Sequence, residues 1–314
     1  GDTLASALLA NGVFLTARSF KYHRPRGIMG AGVEEPSCLV ELLGADAGGN
    51  QAATTVRLRP SLRAKSVNCW PSPNFDLMSI NQLFARFLPA GFYYKTFMWP
   101  NWHFFEPSIR RAAGLAAAPN AQIPDQHYEA RYWYGDVLVV GAGACGLLAA
   151  LMASRSGARV MIVDEQSHPG GYLRASQSKF DDKPAMEWVA SVVAELDANP
   201  EVTRLQDATA WGYREHNMLT VSERNPSEAH VFQRGWKARA GQVILATGAI
   251  ERTLVFTNND LPGIMLASAF QTYLNEFGVI PGRRPLIFAN NNSAYSLAHE
   301  LQEAGANIAG IIDS

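Results

Sequence analysis

The chain has 314 residues, of which 47% are hydrophobic and 18% charged, and its formal net charge is -1. That length supports two or three domains with cores of their own, and the near-neutral balance offers no basic field for nucleic acid. No apolar run approaches the roughly 18 residues that a membrane span needs, and Gly1-Asp2-Thr3 opens with no signal-peptide pattern, so a cytoplasmic protein without a membrane partner is the simplest expectation.

Residues up to about 69 carry short β-prone pieces: Gly12-Val13-Phe14-Leu15, Cys38-Leu39-Val40-Glu41-Leu42 and Thr54-Thr55-Val56-Arg57-Leu58. A helix is expected over residues 3–10 and a glycine-rich turn over 44–50, together forming a small mixed sheet with one helix. Residues 70–134 are dense in aromatic residues and proline, as in Phe92-Tyr93-Tyr94 and Phe97-Met98-Trp99-Pro100-Asn101-Trp102. Such a connecting segment either packs over a neighbouring domain or presents area to a partner chain. The three cysteines, Cys38, Cys69 and Cys145, form no CxxC pair, and the seven histidines are scattered. Neither a disulfide framework nor a metal site is expected.

From Asp136 the pattern changes to alternating strands and helices. Asp136-Val137-Leu138-Val139-Val140 reads as a buried parallel strand. It runs directly into Gly141-Ala142-Gly143-Ala144-Cys145-Gly146, which opens a helix through Arg155. In this GxGxxG pattern the first glycine permits the tight turn, the second lets a pyrophosphate approach the backbone, and the third lets helix and strand pack closely. The helix N-terminus then faces the phosphates with unpaired N–H groups and the positive end of its dipole. A second strand, Val160-Met161-Ile162-Val163, is closed by Asp164, where a carboxylate accepts hydrogen bonds from ribose hydroxyls and disfavours the extra phosphate of NADP, and the neighbouring Glu165 strengthens that preference. The region thus reads as a Rossmann-like dinucleotide-binding domain over 135–255. Pro169-Gly170-Gly171-Tyr172-Leu173 follows, then short alternating pieces over 202–243 that suggest an antiparallel meander, then Val243-Ile244-Leu245-Ala246-Thr247-Gly248. The glycine pair and the Ala-Thr-Gly strand resemble the two-dinucleotide-binding flavoproteins, a family that includes thioredoxin and glutathione reductases. The absent CxxC excludes disulfide reduction as the task.

A second strand-then-helix pattern starts at Pro285-Leu286-Ile287-Phe288, and residues 256–314 are expected to begin a second dinucleotide-type domain. Its turn reads Ala289-Asn290-Asn291-Asn292-Ser293-Ala294-Tyr295 in place of a glycine fingerprint, so ordinary NAD(P)H binding is not expected there.

Long idiosyncratic strings extend the comparison: Arg24-Pro25-Arg26-Gly27-Ile28-Met29-Gly30-Ala31-Gly32-Val33-Glu34-Glu35-Pro36, the run from Phe87 to Pro100, Gly248-Ala249-Ile250-Glu251-Arg252 and Asn258-Asn259-Asp260-Leu261-Pro262-Gly263. With these, nearly the whole chain resembles the α subunits of heterotetrameric sarcosine oxidases. The resemblance implies a ferredoxin-like β-grasp domain over 1–69 that has lost its iron–sulfur cluster, since only Cys38 remains where cluster-bearing relatives carry three cysteines. It implies NAD at the GxGxxG site, carried over onto Ala142, Asp164, Glu165, Gln166, Tyr172 and Ala210. The sequence motif adds Gly141, Gly143, Ala144, Gly146, Gly170, Gly171, Thr247 and Gly248 to the expected cofactor-binding set. The resemblance further implies FAD on a β subunit, FMN at the α/β boundary, γ and δ subunits in the same complex, and a folate-binding domain absent from this stretch, which is expected to be a fragment. No catalytic side chain is expected. Two alternatives stand beside this: an FAD-binding subunit of a related amine, proline, opine or cyanide-forming complex, and a non-enzymatic scaffold stabilised by its nucleotide.

Overall fold

The structure is a computed structural model that describes residues 2–44, 48–87, 91, 97–112, 127–180, 182–224, 226, 228 and 230–314. The aromatic string Phe92-Tyr93-Tyr94 lies outside the described residues. In chain order the elements are α1 (Leu4–Ala10), β1 (Ala17–Arg18), β2 (Pro25–Arg26), β3 (Leu39–Leu43), β4 (Gly48–Ala52), β5 (Arg63–Ser66), a 3-10 helical stretch Leu77–Phe87, and α2 (Trp102–Ala112). Next come β6 (His127–Val140), α3 (Ala144–Arg155), β7 (Val160–Val163), a 3-10 turn Gly171–Arg174, β8 (Lys179–Phe180), β9 (Lys183–Pro184), α4 (Ala185–Ala198), β10 (Val202–Leu205), β11 (Ala208–Arg214), β12 (Met218–Arg224) and β13 (Val231–Leu245). The chain continues with α5 (Ala267–Asn275), β14 (Leu286–Ala289), α6 (Ser293–Glu303) and β15 (Gly310–Asp313). Two units result, Gly1–Gln122 with Glu251–Ser314 and Ile123–Ile250.

In the first unit, α1 starts at a capping box: Thr3 Oγ1 accepts from the Ser6 amide and Ser6 Oγ accepts from the Thr3 amide. Both donors would otherwise be unpaired at the helix start. β3 is the centre of a three-stranded sheet ordered β4-β3-β5. Its core gathers Ala5, Leu9, Ile28, Met29, Cys38, Val40 and Ala53 with Leu266, Ala269 and Tyr273. Two β-prone pieces are not strands. Residues 12–15 are irregular, and 54–58 make only the single bridge Thr3↔Arg57. Both are spent on loop hydrogen bonds, such as Val13 N to Leu8 O and Leu4 N to Val56 O, that fasten the ends of α1. The expected glycine turn is partly strand, because Gly48–Ala52 pairs with β3 as β4.

Asp260 ties β2 to a distant loop of the same unit, with Arg24 Nη2 donating to its Oδ1 at 2.7 Å and Arg26 Nη1 to its Oδ2. The hydrogen bonds from Arg24, reinforced by Arg26, hold the Asp260 carboxyl well below the usual carboxylate range. A depressed folded-state value means the stabilisation is complete above the unfolded-state value and is lost as acid titrates the folded carboxylate. An acid-unfolding titration between about pH 4 and pH 2 is therefore expected to show a steeper loss of stability for wild type than for Asp260→Asn; equal slopes would remove the ion pair from the account.

The second unit is built on a six-stranded sheet in the order β10-β7-β6-β13-β12-β11. β10, β7, β6 and β13 run parallel, whereas β13-β12-β11 form an antiparallel meander. β10 is thus a parallel edge strand and not part of the meander, because Val202–Leu205 pairs in register with the fully buried Val160–Val163. β6 reaches back to His127, well before the apolar run at Asp136, because β13 continues alongside it from the pair Gln233↔Tyr128 to Leu245↔Val140. α3 buries Gly146, Leu147, Ala150, Leu151 and Ser154, a single helical face. α4 does the same with Ala185, Val189, Val192 and Leu196, and both helices close one apolar core over the parallel strands. At the far end of the sheet a buried arginine, Arg234, donates to Glu129, Glu223 and Glu228, and Glu223 also accepts from Trp236 Nε1 at 2.8 Å.

Candidate dinucleotide site

The glycine turn sits where β6 ends and α3 begins, so its backbone faces outward from the carboxyl ends of the parallel strands. Gly141 has φ +105°, and a Cβ there would lie 2.2 Å from the Ala246 carbonyl oxygen. A Cβ on Gly146 would lie 1.8 Å from the Gly141 carbonyl oxygen. Both positions are closed to any side chain. Gly143 is different: its Cβ would meet nothing within 4 Å. It also caps α3 with no side-chain oxygen, so the first-turn N–H groups that a helix leaves unpaired point toward open space. That is the room and the donor set a pyrophosphate requires, and the residues present fit a dinucleotide.

Asp164, directly after β7, has a task inside the protein. Its Oδ2 accepts the Ala142 amide at 2.5 Å and its Oδ1 the Gln166 amide at 2.8 Å. Burial pushes the carboxyl up from its ordinary value, against the opposing pull of those two hydrogen bonds. The carboxylate therefore fastens the glycine turn to the end of the neighbouring strand. Glu165 is the next residue along, at the edge where ribose hydroxyls would come.

The later glycine pair closes the other side. Gly170 N donates to the Ala142 carbonyl at 2.8 Å, and a Cβ on Gly171 would approach the Gly143 Cα to 3.1 Å. Tyr172 follows with an exposed ring. Ala246 N donates to the Val140 carbonyl at 2.8 Å, which seats the Ala-Thr-Gly segment against the turn, followed by Thr247 and by Gly248 at φ +75°. Ala208 N donates to the Asp164 carbonyl and Asp207 N to the Gln166 carbonyl, so β11 starts beside the acidic strand end. Ala210 lies within β11, part-buried against the meander core. The structure thus gathers residues 141–146, 164–166, 170–171 and 246–248 at one end of the sheet, with Ala210 in the adjoining strand.

Two residues not singled out in the sequence help build this end. Arg174 donates from Nη1 to the His168 carbonyl at 2.6 Å and from Nη2 to Gln166 Oε1 at 2.8 Å. Gln206 Nε2 donates to the Gln166 carbonyl at 2.8 Å. Neither belongs to a motif, and only the folded loop brings them to Gln166. Cys145 is exposed in the first turn of α3.

The second strand-helix-strand piece, β14-α6-β15, is parallel as expected, but its polar groups are used internally. Asn291 Oδ1 accepts the Ser293 amide at 3.0 Å and its hydroxyl at 2.5 Å, and the Tyr295 hydroxyl donates to Asp313 Oδ2 at 3.1 Å. Asp313 closes β15 as Asp164 closes β7. Among the described residues no cluster of metal-ligating side chains occurs, and no helix is long and apolar enough to cross a membrane.

Residues 1–69 match the family of 2Fe-2S iron-sulfur cluster binding domains, and residues 136–253 match FAD dependent oxidoreductases. Over its full length the chain is 49% identical to the alpha chain of sarcosine oxidase from Rhizobium meliloti and 38% identical to that from Corynebacterium sp.. It spans only 33% and 29% of those two proteins. One of the opine oxidase subunits of Agrobacterium tumefaciens is 32% identical over 57% of the chain and 37% of its own length. The L-proline dehydrogenase of P. horikoshii shares the fold, with a TM-score of 0.65 at 20% identity, over 99% of this chain and 50% of that one. A ferredoxin-like domain precedes a Rossmann-type FAD oxidoreductase domain, and the two align end to end with about a third of those sarcosine oxidase chains. Over its whole length the chain is therefore similar to sarcosine oxidase α subunits.

Proposed function

We propose that this stretch is the NAD-binding part of the α subunit of a sarcosine oxidase complex. The complex would demethylate sarcosine oxidatively to glycine with O2 and tetrahydrofolate, with the flavin chemistry on a β subunit. The observation that carries the dinucleotide reading is the open, uncapped position at Gly143, framed by positions that admit no side chain. In this reading the α3 N-terminus and the Gly141, Ala142, Gly143 and Ala144 backbone receive the pyrophosphate, and Glu165 receives the ribose. Gln166, Gly170, Gly171, Tyr172, Ala210, Thr247 and Gly248 surround the rest. No side chain here performs chemistry; a bound dinucleotide would supply hydride-transfer capacity or serve as a structural ligand.

The match to α subunits along the whole chain supports β, γ and δ partners in a cytoplasmic complex. Exposed aromatics such as Trp99, 86% accessible, and Phe104 supply surface for such partners and for the FMN boundary. The domain division assigned with this reading is 1–69, 70–134, 135–255 and 256–314. A second reading, FAD at the same turn as in a related amine, proline or opine dehydrogenase complex, is favoured by the match of residues 136–253 to FAD dependent oxidoreductases. The two separate cleanly. Nucleotides released from the denatured complex and identified by mass should include NAD, and Glu165→Ala should deplete NAD while flavin content holds. Depletion of FAD in that variant, with no NAD in wild type, would hand the site to the second reading.

A further inference from the structure

The N-terminal domain matches a family that holds a 2Fe-2S cluster, yet its residues do not fit one. Such a cluster needs four cysteine thiolates, and residues 1–69 contain Cys38 and Cys69 only. Cys38 is fully buried in the apolar core, where burial pushes its thiol up to about 12 and keeps it protonated. Burial also raises the Cys69 thiol above its ordinary value.

The loop between β2 and β3 nevertheless converges backbone N–H groups, the arrangement that elsewhere cradles anions and iron–sulfur centres. Glu35, only 4% exposed, fills it. Its Oε2 accepts the amides of Met29 at 2.7 Å and Gly30 at 2.6 Å, and its Oε1 those of Ser37 at 2.6 Å and Cys38 at 2.7 Å. Glu34 Oε1 accepts two more, from Ala31 at 2.7 Å and Gly32 at 2.9 Å. A Cβ on Gly30 would come within 2.9 Å of that same Glu34 oxygen, so a side chain at Gly30 would have to push the Glu34 carboxylate off the two amides it accepts.

We propose that this amide cradle is an anion site occupied permanently by the chain's own Glu35 carboxylate, which replaces a cluster and lets the ferredoxin-like domain fold without iron. The cradle is also a joint within its unit. Tyr273 of α5 donates its hydroxyl to the Gly30 carbonyl at 3.0 Å, and Leu266 N donates to the Met29 carbonyl at 2.9 Å. Loss of the anion is therefore expected to loosen the seat of α5.

The test uses the full-length protein in its complex. Amide hydrogen exchange in Glu35→Ala should lose about 100-fold protection or more at Met29, Gly30, Ser37 and Cys38. Sodium formate, compared with sodium chloride at equal ionic strength, should recover about tenfold or more of that protection, because formate supplies the missing carboxylate. If Glu35→Ala yields no folded protein, refolding in formate is expected to recover it. Glu35→Gln keeps the shape but puts an NH2 against N–H donors, so it should lose protection at the same amides. Wild-type protection in Glu35→Gln, or no recovery of Glu35→Ala by formate, would show that shape and not charge fills the loop and would overturn the proposal. So would anaerobic incubation of wild type with ferric iron, sulfide and dithiothreitol, should it yield a stoichiometric thiolate-to-iron absorption band with acid-labile sulfide.

Discussion

Gly146→Ala is expected to abolish dinucleotide retention, and its effect should be the largest of any single methyl group in the second unit. The added Cβ would lie 1.8 Å from the Gly141 carbonyl oxygen, and both atoms belong to segments fixed by other bonds. Gly141 N donates to the Val163 carbonyl at 2.7 Å, and the Leu147 amide is already in the α3 ladder through Gly143. Neither side can give way alone, so α3 must lift from β6. Forced overpacking of this kind costs about 1–3 kcal/mol or more. The cost to binding is greater, because the displaced helix start no longer aims its amides at the phosphates. A loss of at least ~100-fold in affinity, about 3 kcal/mol, is the expected result in equilibrium dialysis with the adenine dinucleotide. Gly143→Ala is the informative partner: its Cβ meets no protein atom within 4 Å, so stability should be unchanged while affinity falls. If Gly143→Ala binds as wild type, the pyrophosphate does not pass over this residue.

The two acidic residues at the end of β7 are expected to behave differently when each is removed. Asp164→Ala deletes two hydrogen bonds to a charged acceptor, each worth roughly 1.5–3 kcal/mol, and frees the amides of Ala142 and Gln166 inside a part-buried loop. Thermal unfolding should show a lower midpoint for the second unit even without nucleotide, and affinity should fall by about tenfold or more because the turn is no longer anchored. Glu165→Gln should leave nucleotide-free stability close to wild type while weakening binding through the ribose. A reversed pattern, with Glu165→Gln destabilising and Asp164→Ala silent without ligand, would exchange the roles assigned to the two carboxylates. Because burial raises the Asp164 carboxyl above its ordinary value, its ionised form is disfavoured by folding. Acidification toward that raised value therefore should not by itself erode the second unit through this residue, in contrast to Asp260 in the first.

The dinucleotide fold was legible because its signals are local. The apolar run 137–140, the GxGxxG turn, the helix face at Gly146, Leu147, Ala150 and Leu151, and the strand 160–163 with its acidic end each declare themselves within a few residues. The small first unit was less legible. Residues 12–15 and 54–58 have strand composition, but the hydrogen bonds available to them lie along α1, and no local pattern announces that competition. Val202-Thr203-Arg204-Leu205 alternates like a meander strand; its place beside β7 as a parallel edge depends on α4, which carries the chain across the sheet.

By itself the sequence determined the glycine turn, the alternation of parallel strands and helices, and the absence of enough thiols for a cluster, because each follows from residue type at fixed short spacing. Only the tertiary structure decided what the acidic residues do. Asp164 turns back to hold the loop, Glu34 and Glu35 close around converging amides, and Arg174 and Gln206 meet at Gln166. A carboxylate takes its role from the donors that folding aims at it, and those donors come from segments that spacing along the chain does not relate.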